Sequence, residues 1–345
     1  MKFRIIVRAP VLTMSGYGEQ SRFALRALRK HEDKFDIYII PVPWGNTNWI
    51  SDDDEERKWL DSRIIKTATL LQTEQNPQFD ISLQITIPNE FEDLAKINIG
   101  YTAGIETTRV APVWLEKANM MDKIIVVSEH SKSVFMSSAY DAVNKETGEK
   151  ILMKLQKPIE VVPYPVRHFE ADPSFEMDLE YDFNYLLMAQ WSLRKNIERT
   201  IKWFIEENID QEVGLVIKTN SQANCKIDKE FTLDQRLRPL LDQHPDRKCK
   251  IYLLHGDMTT EELTALYNHP KIKCLASLTH PAGVGKMISY MHRPRDPVAA
   301  RLKCAPFLAK WYLTYSLYPK KVTGKGLLSR DLCGVSLKRA VSKCN

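Results

Sequence analysis

Short apolar runs alternate with amphipathic stretches along most of the chain. In the first part, the apolar runs predict strands at residues 3–7, 35–40, 81–85, 98–101, 123–127 and 159–162. The stretches between them predict helices at residues 19–31 and from Asp52 onward. From Tyr185 the alternation restarts, with strands predicted at 185–188, 213–218, 250–254 and 272–276 and helices at 197–207, 233–241 and 260–267. Near-continuous apolar strands joined by helices are typical of parallel sheets covered on both faces. The pattern therefore predicts an α/β protein with two Rossmann-like, doubly wound domains.

Changes in composition predict the domain boundaries. Residues 1–165 form the first domain, and residues 166–182, which lack periodicity and follow two prolines, form a linker. Residues 183–280 form the second domain, and residues 281–345 form an atypical basic tail. The second domain is therefore predicted to be incomplete or altered after residue 280. Two such domains in tandem are expected to bind a ligand in a cleft at the carboxyl ends of their strands.

Charge separates the tail from the rest of the chain. The net charge is +5, yet residues 1–280 carry 36 Lys and Arg against 42 Asp and Glu, while residues 281–345 carry 13 against 2. Three interpretations remain open: a basic arm for nucleic acid, a divergent C-terminus, or a stretch translated in a shifted reading frame. Translating the coding DNA beyond codon 280 in the other two frames distinguishes the third from the others.

Bulk composition narrows the class of protein. The chain has 345 residues, of which 43% are hydrophobic and 27% charged, as in globular domains. No apolar run approaches the roughly 18 to 20 residues that span a bilayer, so a cytoplasmic protein without a transmembrane segment is expected. The six cysteines show no CxxC spacing, which predicts neither a zinc site nor a disulfide framework. The acidic run Asp52-Asp53-Asp54 heads a helix, and no metal site is predicted there.

A turn with adjacent cations follows the strand that begins the second domain. Arg194 and Lys195 lie just before the helix predicted at 197–207. A helix start presents unpaired amides and partial positive charge, so this turn is a candidate phosphate site. The alternative is a solvated turn at the end of a buried strand.

Several short motifs occur in an order that resembles one enzyme family. They are Ser15-Gly16-Tyr17-Gly18, residues 100–106 (GYTAGIE), residues 124–132 (IIVVSEHSK), residues 162–166 (VPYPV), Gln190-Trp191-Ser192 with Arg194-Lys195-Asn196, and His255-Gly256-Asp257. Over about residues 1–280 this series resembles the group 1 (family 4-like) glycosyltransferases. The resemblance implies the GT-B architecture, with the acceptor handled mainly by the first domain and a nucleotide-sugar donor mainly by the second. It also implies a metal-independent reaction, often with retention, in which the nucleotide-sugar is a co-substrate and no cofactor takes part.

The resemblance assigns phosphate-binding roles to two loops. Gly16 and Gly18 match the glycine loop that approaches the donor phosphates, where the lack of a Cβ allows close backbone contact. In the family pattern Gly-Arg-x-x-x-x-Lys-Gly, Lys195 takes the lysine place and Ala189-Gln190 takes the Gly-Arg place. One expected cation is therefore missing, and Arg194 is its candidate replacement.

The remaining candidate site residues lie near predicted strand ends. Glu106 and His130 are candidate catalytic residues, with Glu106 suited to accept a hydrogen bond from an acceptor hydroxyl. Candidate nucleotide or sugar contacts are Gln190, Thr219, Asn220, His255, Gly256 and His280. Six of these residues have a structural alternative: a helix-start carboxylate for Glu106, a structural histidine for His130, and plain turns at 219–220 and 255–256. Trp44, Trp49 and Trp114 are candidate sugar-stacking surfaces or core residues.

One departure from the family keeps other functions open. The family carries a glycine-rich loop and a helix with Glu, seven residues, Glu, whereas no glutamate occurs from residue 281 onward. A glycosyltransferase is expected, with a catalytically inactive sugar-nucleotide-binding protein as the first alternative and a nucleic-acid-binding protein using the basic tail as the second. The acceptor (a glycan, lipid, protein or modified nucleic acid) and the oligomeric state are left open.

Overall fold

The chain forms two compact α/β units. The computed structural model describes residues 2–45, 47–51, 53–104, 107–143, 148, 150–165, 168–193 and 195–276. Residues up to Pro165 form the first unit, and the second begins at the next residue. The statements below concern those residues. Candidate residues Glu106, Arg194 and His280, and the whole tail 281–345, lie outside them.

The first unit contains a six-stranded parallel sheet and a separate hairpin. Its helices are α1 (Gly16–Arg29), α2 (Glu55–Thr73), α3 (Pro112–Asn119) and α4 (Glu129–Ser137). Its strands are β1 (Phe3–Ala9), β2 (Phe35–Pro41), β3 (Ile81–Ile85), β4 (Ile97–Thr102), β5 (Lys123–Val126), β6 (Ala139–Val143), β7 (Lys150–Lys154) and β8 (Ile159–Val161). The sheet has the order β2-β1-β3-β4-β5-β8, and β6 pairs with β7 in antiparallel fashion. The order reverses direction at β1, as in doubly wound folds.

The second unit contains a four-stranded parallel sheet in the order β11-β10-β9-β12. Its elements are β9 (Asn184–Met188), α5 (Ile197–Asn208), β10 (Gly214–Lys218), α6 (Lys226–Phe231), a π-helical segment (Thr232–Leu237), α7 (Arg238–Leu241), β11 (Lys250–Leu254), α8 (Thr260–Asn268) and β12 (Ile272–Leu275). Two parallel sheets flanked by helices confirm the predicted α/β fold class.

Local capping explains where the helices begin. Ser15 caps α1 by accepting a hydrogen bond from the Gly18 amide, so this helix begins at Gly16 rather than at the predicted residue 19. Asp54 caps α2 in the same way, so the acidic triplet is a helix start. The helix predicted at 233–241 begins earlier, at Lys226. The prediction missed its first turns because they are rich in charged residues and carry no apolar periodicity. Helices α3 and α4 and the hairpin were not predicted.

Each sheet is covered by apolar clusters on both faces. In the first unit, one cluster contains Val7 and Leu25, and another contains Phe91 and Phe135. In the second unit, α5 and α7 cover one face, and α8 covers the other. The segment predicted as a linker packs against that second face through Phe169, Phe175, Met177 and Leu179. Among the described residues, no helix has the length and apolar character needed to cross a bilayer.

Candidate functional site

The glycine loop at the start of α1 combines a crowded glycine with an open one. A Cβ on Gly18 would lie 2.1 Å from the carbonyl oxygen of Thr13, whereas a Cβ on Gly16 would meet no atom within 4 Å. The Gly18 amide donates to Ser15 Oγ at 2.9 Å. Within the described chain, no acceptor bonds to the amides of Gly16 or Tyr17. The loop therefore offers unpaired amides and space for an anion at the N-terminus of a 14-residue helix.

A buried arginine holds this loop in place. Arg22 is 6% exposed, and its guanidinium donates to the carbonyls of Val11 at 2.8 Å and Thr13 at 2.9 Å. It also pairs with Glu19 at 2.8 Å. Because its donors are satisfied by these groups, we assign Arg22 the role of shaping the loop rather than of binding ligand.

Tyrosines join the glycine loop to the carboxyl end of β4. The Tyr17 hydroxyl lies 2.9 Å from Thr102 Oγ1 and accepts from the Ala103 amide at 3.0 Å. Tyr101 receives a hydrogen bond from Gln20 and donates to the carbonyl of Val162 at 3.0 Å. Burial raises the pKa of Tyr17, and burial, only partly offset by the Gln20 hydrogen bond, raises that of Tyr101 to about 12. Both phenols therefore stay neutral near pH 7 and act as hydrogen-bonding groups.

The segment after β4 meets the start of α4. Gly104 has φ +79°, and a Cβ there would lie 2.3 Å from Ser131 Oγ, so only glycine fits. Ser128 caps α4 by accepting from the Ser131 amide at 3.1 Å. His130 lies in the first turn of α4, and it is exposed. His130 directly precedes Ser131, which packs against Gly104. No described residue forms a hydrogen bond with the His130 ring.

The turn between β9 and α5 is held by its backbone. The Trp191 amide donates to the Asn220 carbonyl at 2.8 Å, and the Lys195 amide donates to the Ser192 carbonyl at 3.1 Å. Asn196 has φ 49° and is the one non-glycine residue of the described chain with positive φ. Gln190 is exposed, and Lys195 is partly buried. The turn thus brings Lys195 to the start of α5, which has no side-chain cap.

A buried carboxylate organises the loop after β10. Asp228 accepts from the amides of Ser221 and Gln222, each at 2.9 Å, and lies 2.8 Å from Nε2 of His255. The side chains of Asp228 and His255 are 8% and 2% exposed. Burial alone would raise the pKa of Asp228, but these hydrogen bonds outweigh it and hold the pKa below its usual value. His255 therefore positions the loop indirectly, because it contacts the carboxylate that accepts the loop amides.

Other predicted nucleotide contacts lie around this loop. Thr219 is 2% exposed, so its side chain is buried. Its amide donates to the Leu254 carbonyl and extends the pairing of β10 with β11 by one residue. Asn220 is partly buried and accepts from Trp191 through its carbonyl. Gly256 has φ +106° and open space at its Cβ position. The structure thus brings Asn220 together with the Trp191 turn and places Gly256 at the next strand end.

Two polar residues at this edge were missed by the sequence analysis. Lys218, the last residue of β10, donates to the Gly256 carbonyl, and burial lowers its pKa. A lysine that ends the apolar run GLVIK was the available signal. Asp228 had no such signal, because its partner His255 lies far along the chain.

The tryptophans divide between surface and core. Trp44 lies with its ring centroid 4.4 Å from that of Tyr17, close to the glycine loop. Trp114 stacks near Phe135 in an apolar cluster, and Trp49 is 58% exposed. Within the described ranges, no group of His, Cys, Asp and Glu has the arrangement of a metal site.

Both units contain a parallel sheet flanked by helices, with loops at the carboxyl ends of the strands, where folds of this kind bind their ligands. No known protein-family profile matches the chain, and no curated protein matches it. Solved structures that it resembles include GT-B glycosyltransferases. A trehalose-6-phosphate synthase is 10% identical with a TM-score of 0.47, the match covering 86% of this chain and 82% of that one. Sucrose-phosphate synthase from Thermosynechococcus elongatus is 11% identical with a TM-score of 0.46, covering 81% and 76%. Anabaena HepE, solved with UDP and glucose, is 12% identical with a TM-score of 0.42, covering 80% and 75%.

Proposed function

We propose that this protein is a GT-B-type glycosyltransferase that moves a sugar from a nucleotide-sugar donor to an acceptor without a metal ion or other cofactor. The observation that carries the proposal is the glycine loop of α1, where Gly16 is open and the amides of Gly16 and Tyr17 lack acceptors within the described chain. Unpaired amides at a helix start favour a phosphate group. The motif order in the sequence supports the choice of sugar transfer over other phosphate chemistry.

The second phosphate-binding element is the turn that precedes α5. Lys195 supplies a full positive charge there, and Arg194 is its proposed companion. During transfer, negative charge grows on the departing nucleoside diphosphate, and fixed cations and amides stabilise that charge more in the transition state than in the ground state. These groups can therefore replace a metal ion as the stabiliser of the leaving group.

The other candidate residues take roles around this centre. We propose that Glu106 accepts a hydrogen bond from the acceptor hydroxyl and that His130 contacts the acceptor or donor sugar. Gln190, Asn220 and Gly256 are proposed contacts of the nucleotide or its sugar, together with His280. Thr219 and His255 are proposed to position this surface, because both side chains are buried. Retention at the anomeric carbon is part of the proposal.

Calorimetry with nucleoside diphosphates in the presence of EDTA tests the proposal. We expect at least one diphosphate to bind and Lys195→Met to weaken it about tenfold or more, since hydrogen bonds to charged groups contribute about 1.5 to 3 kcal/mol. Lys226→Met is the matched control, because this exposed lysine only approaches Glu230 at 4.0 Å. Equal affinities in the Lys195 variant and the wild type would contradict the proposal.

A sugar-nucleotide-binding protein without turnover is the second candidate. It is favoured by one observation, the absence of glutamate after residue 280, where the resembled family carries its Glu-x7-Glu motif. Diphosphate binding without release of nucleoside diphosphate from any nucleotide-sugar would select this candidate. Binding of nucleic acid that falls steeply with salt and disappears on deleting residues 281–345 would select the nucleic-acid alternative instead.

A further inference from the structure

Three polar side chains gather where β10 and β11 end in the second unit. Lys218 is the last residue of β10, beside Leu254 in the parallel register, and its ammonium donates to the carbonyl of Gly256. The side-chain amide of Asn224 donates to Oδ1 of Asp257. Burial lowers the pKa of Lys218, and the charge of Asp257 partly offsets that shift, so these two groups lie within electrostatic range. This edge of the sheet therefore carries an ammonium, an amide and a carboxylate together.

The two loops that carry these side chains are joined by a buried contact. Asp228 accepts from the amides of Ser221 and Gln222 in the loop after β10, and it lies 2.8 Å from Nε2 of His255, which follows β11. The bond from Asn224 to Asp257 is a second link between the same loops. The carboxylate of Asp257 is therefore held in one position before any ligand binds, which lowers the ordering cost of binding.

The hydrogen-bonding capacity of this cluster is only partly used. A carboxylate has about four lone-pair positions, and the described chain supplies Asp257 with one donor, from Asn224. Asp257 is exposed, and it forms no ion pair with any cation among the described residues. Lys218 has three N–H donors, of which one bonds to Gly256. Acceptors on Asp257 and donors on Lys218 are therefore available to a ligand.

Gly256 leaves room next to the cluster. Its φ of +106° would strain any other residue, and a Cβ at this position would meet no atom within 4 Å. A planar ring can therefore approach the backbone beside Asp257. Ligands of open α/β sheets bind at this end of the strands.

The order of donors and acceptors on a nucleobase determines which base suits a carboxylate. Guanine presents two adjacent donors, N1–H and the N2 amino group, followed by the acceptor O6. A carboxylate accepts from both donors at once, and an ammonium beside it donates to O6. On uracil, cytosine and adenine no two donors are adjacent, so a carboxylate that bonds to one donor faces an acceptor lone pair.

We propose that Asp257 recognises guanine through N1–H and the N2 amino group, with Lys218 facing O6, so that the donor substrate is a guanosine diphosphate sugar. The inference rests on the proposed function, because it names the base of the nucleotide that this function requires. Asn224 is a positioning residue in this arrangement, since it holds the carboxylate and not the base.

Calorimetry of the full chain with GDP, UDP, ADP and inosine diphosphate in the presence of EDTA tests the inference. We expect UDP and ADP to bind about tenfold or more weakly than GDP, because they leave polar groups of the site without partners. Inosine diphosphate lacks only the N2 amino group, and its affinity should be about tenfold below that of GDP.

Asp257→Asn distinguishes base recognition from a structural role. Asparagine offers one acceptor and one donor, which suits xanthine, where a carbonyl replaces the N2 amino group. The variant should bind GDP about tenfold or more weakly than the wild type does and should prefer xanthosine diphosphate to GDP. The matched control is Asp246→Asn, which changes an exposed carboxylate before the amino end of β11 and should keep wild-type affinities. Both aspartates are exposed, so both variants should fold, and their melting temperatures verify this.

The outcomes separate this inference from the proposed function. UDP or ADP binding at least as tightly as GDP overturns the inference and leaves the proposed function standing. Unchanged GDP affinity in Asp257→Asn also overturns it. If no nucleoside diphosphate binds, both fail, whereas the comparison of Lys195→Met with the wild type tests the proposed function whichever base is preferred.

Discussion

Buried polar side chains determine the shapes of the loops at the strand carboxyl ends. Arg22 satisfies two carbonyls of the loop before α1, and Asp228 satisfies amides of the loop after β10. A buried group of this kind costs free energy when its partner is removed, so it holds one loop conformation against the alternatives. Loop geometry in both units therefore depends on single charged residues that contact no proposed ligand.

Replacing Asp228 should change how stability depends on pH. The pKa of Asp228 is lowered in the folded state. Its ionised carboxylate therefore contributes fully to the free energy of unfolding above the usual carboxyl pKa, and this contribution is lost as the pH falls through the lowered pKa. We expect Asp228→Asn to destabilise the second unit by about 2 kcal/mol at pH 7 and to flatten the loss of stability as the pH falls below about 5. Urea unfolding across this range measures both effects.

The exposed Asp234 provides the control for this change. Asp234→Asn removes only a surface pair with Arg238 and should alter stability by less than about 1 kcal/mol. A pH profile of Asp228→Asn parallel to that of the wild type would show that the carboxylate is not what stabilises the loop.

Sequence patterns predicted where candidate residues lie along the strands and loops, but not which residues they contact in the folded unit. His255 follows a strand and was predicted to contact the nucleotide, which still awaits a binding measurement, but its ring is buried against Asp228. No local pattern links these two residues, since their contact arises only when β11 and α6 pack in the folded unit. In contrast, the crowding at Gly18 is local in sequence, since a Cβ there would meet Thr13 and Pro10 of the same loop.

The strands were predicted more completely than the helices. β3 and β11 occur with the predicted bounds, because each is a five-residue stretch in which apolar side chains predominate. Helices α3 and α4 span 8 and 9 residues, too few turns to show a clear apolar period. The hairpin strand β7 is a short apolar run between two lysines and is largely exposed. Its partner β6 is at most half-buried, so neither strand has the signature of a sheet core.

The first turn of α1 offers a way to separate helix stability from ligand binding. Ser15→Asp keeps an acceptor for the Gly18 amide and places negative charge at a helix start, so the stability should stay within about 0.5 kcal/mol of the wild type. The same charge would repel a phosphate, so diphosphate affinity should fall tenfold or more. Thermal unfolding and calorimetry on one preparation test both outcomes.

Ser15→Ala gives the complementary result. It removes the cap and should cost about 1 kcal/mol of stability without adding charge. If Ser15→Asp binds a diphosphate as well as the wild type does, the helix start of α1 is not the phosphate site.

At the scale of the whole molecule, each unit has apolar clusters of its own among the described residues. The clusters of the first unit use residues up to Val161, and those of the second begin at Phe169. The prolines predicted a linker over 166–182, yet Phe175 and Leu179 pack on the second unit. Composition alone gave no sign of this packing, since the segment has apolar residues without a period.

A fragment comprising residues 1–165 should fold without the rest of the chain. It contains the whole six-stranded sheet and all three clusters of the first unit. We expect one cooperative thermal transition, with a far-ultraviolet circular dichroism spectrum of an α/β protein. A fragment extended to residue 182 should be no more stable, because the added segment packs elsewhere. A broad, non-cooperative transition for 1–165 would show that the unit requires the second one.

The β6–β7 hairpin has a consequence for how this protein can vary among its relatives. The hairpin forms a sheet of its own, and β5 pairs directly with β8 without involving it. Its outer face exposes Val143 and Leu152, while Tyr140 and Met153 rest on the body of the unit. An evolving lineage can therefore shorten, extend or exchange this arm while every register in the main sheet is inherited unchanged.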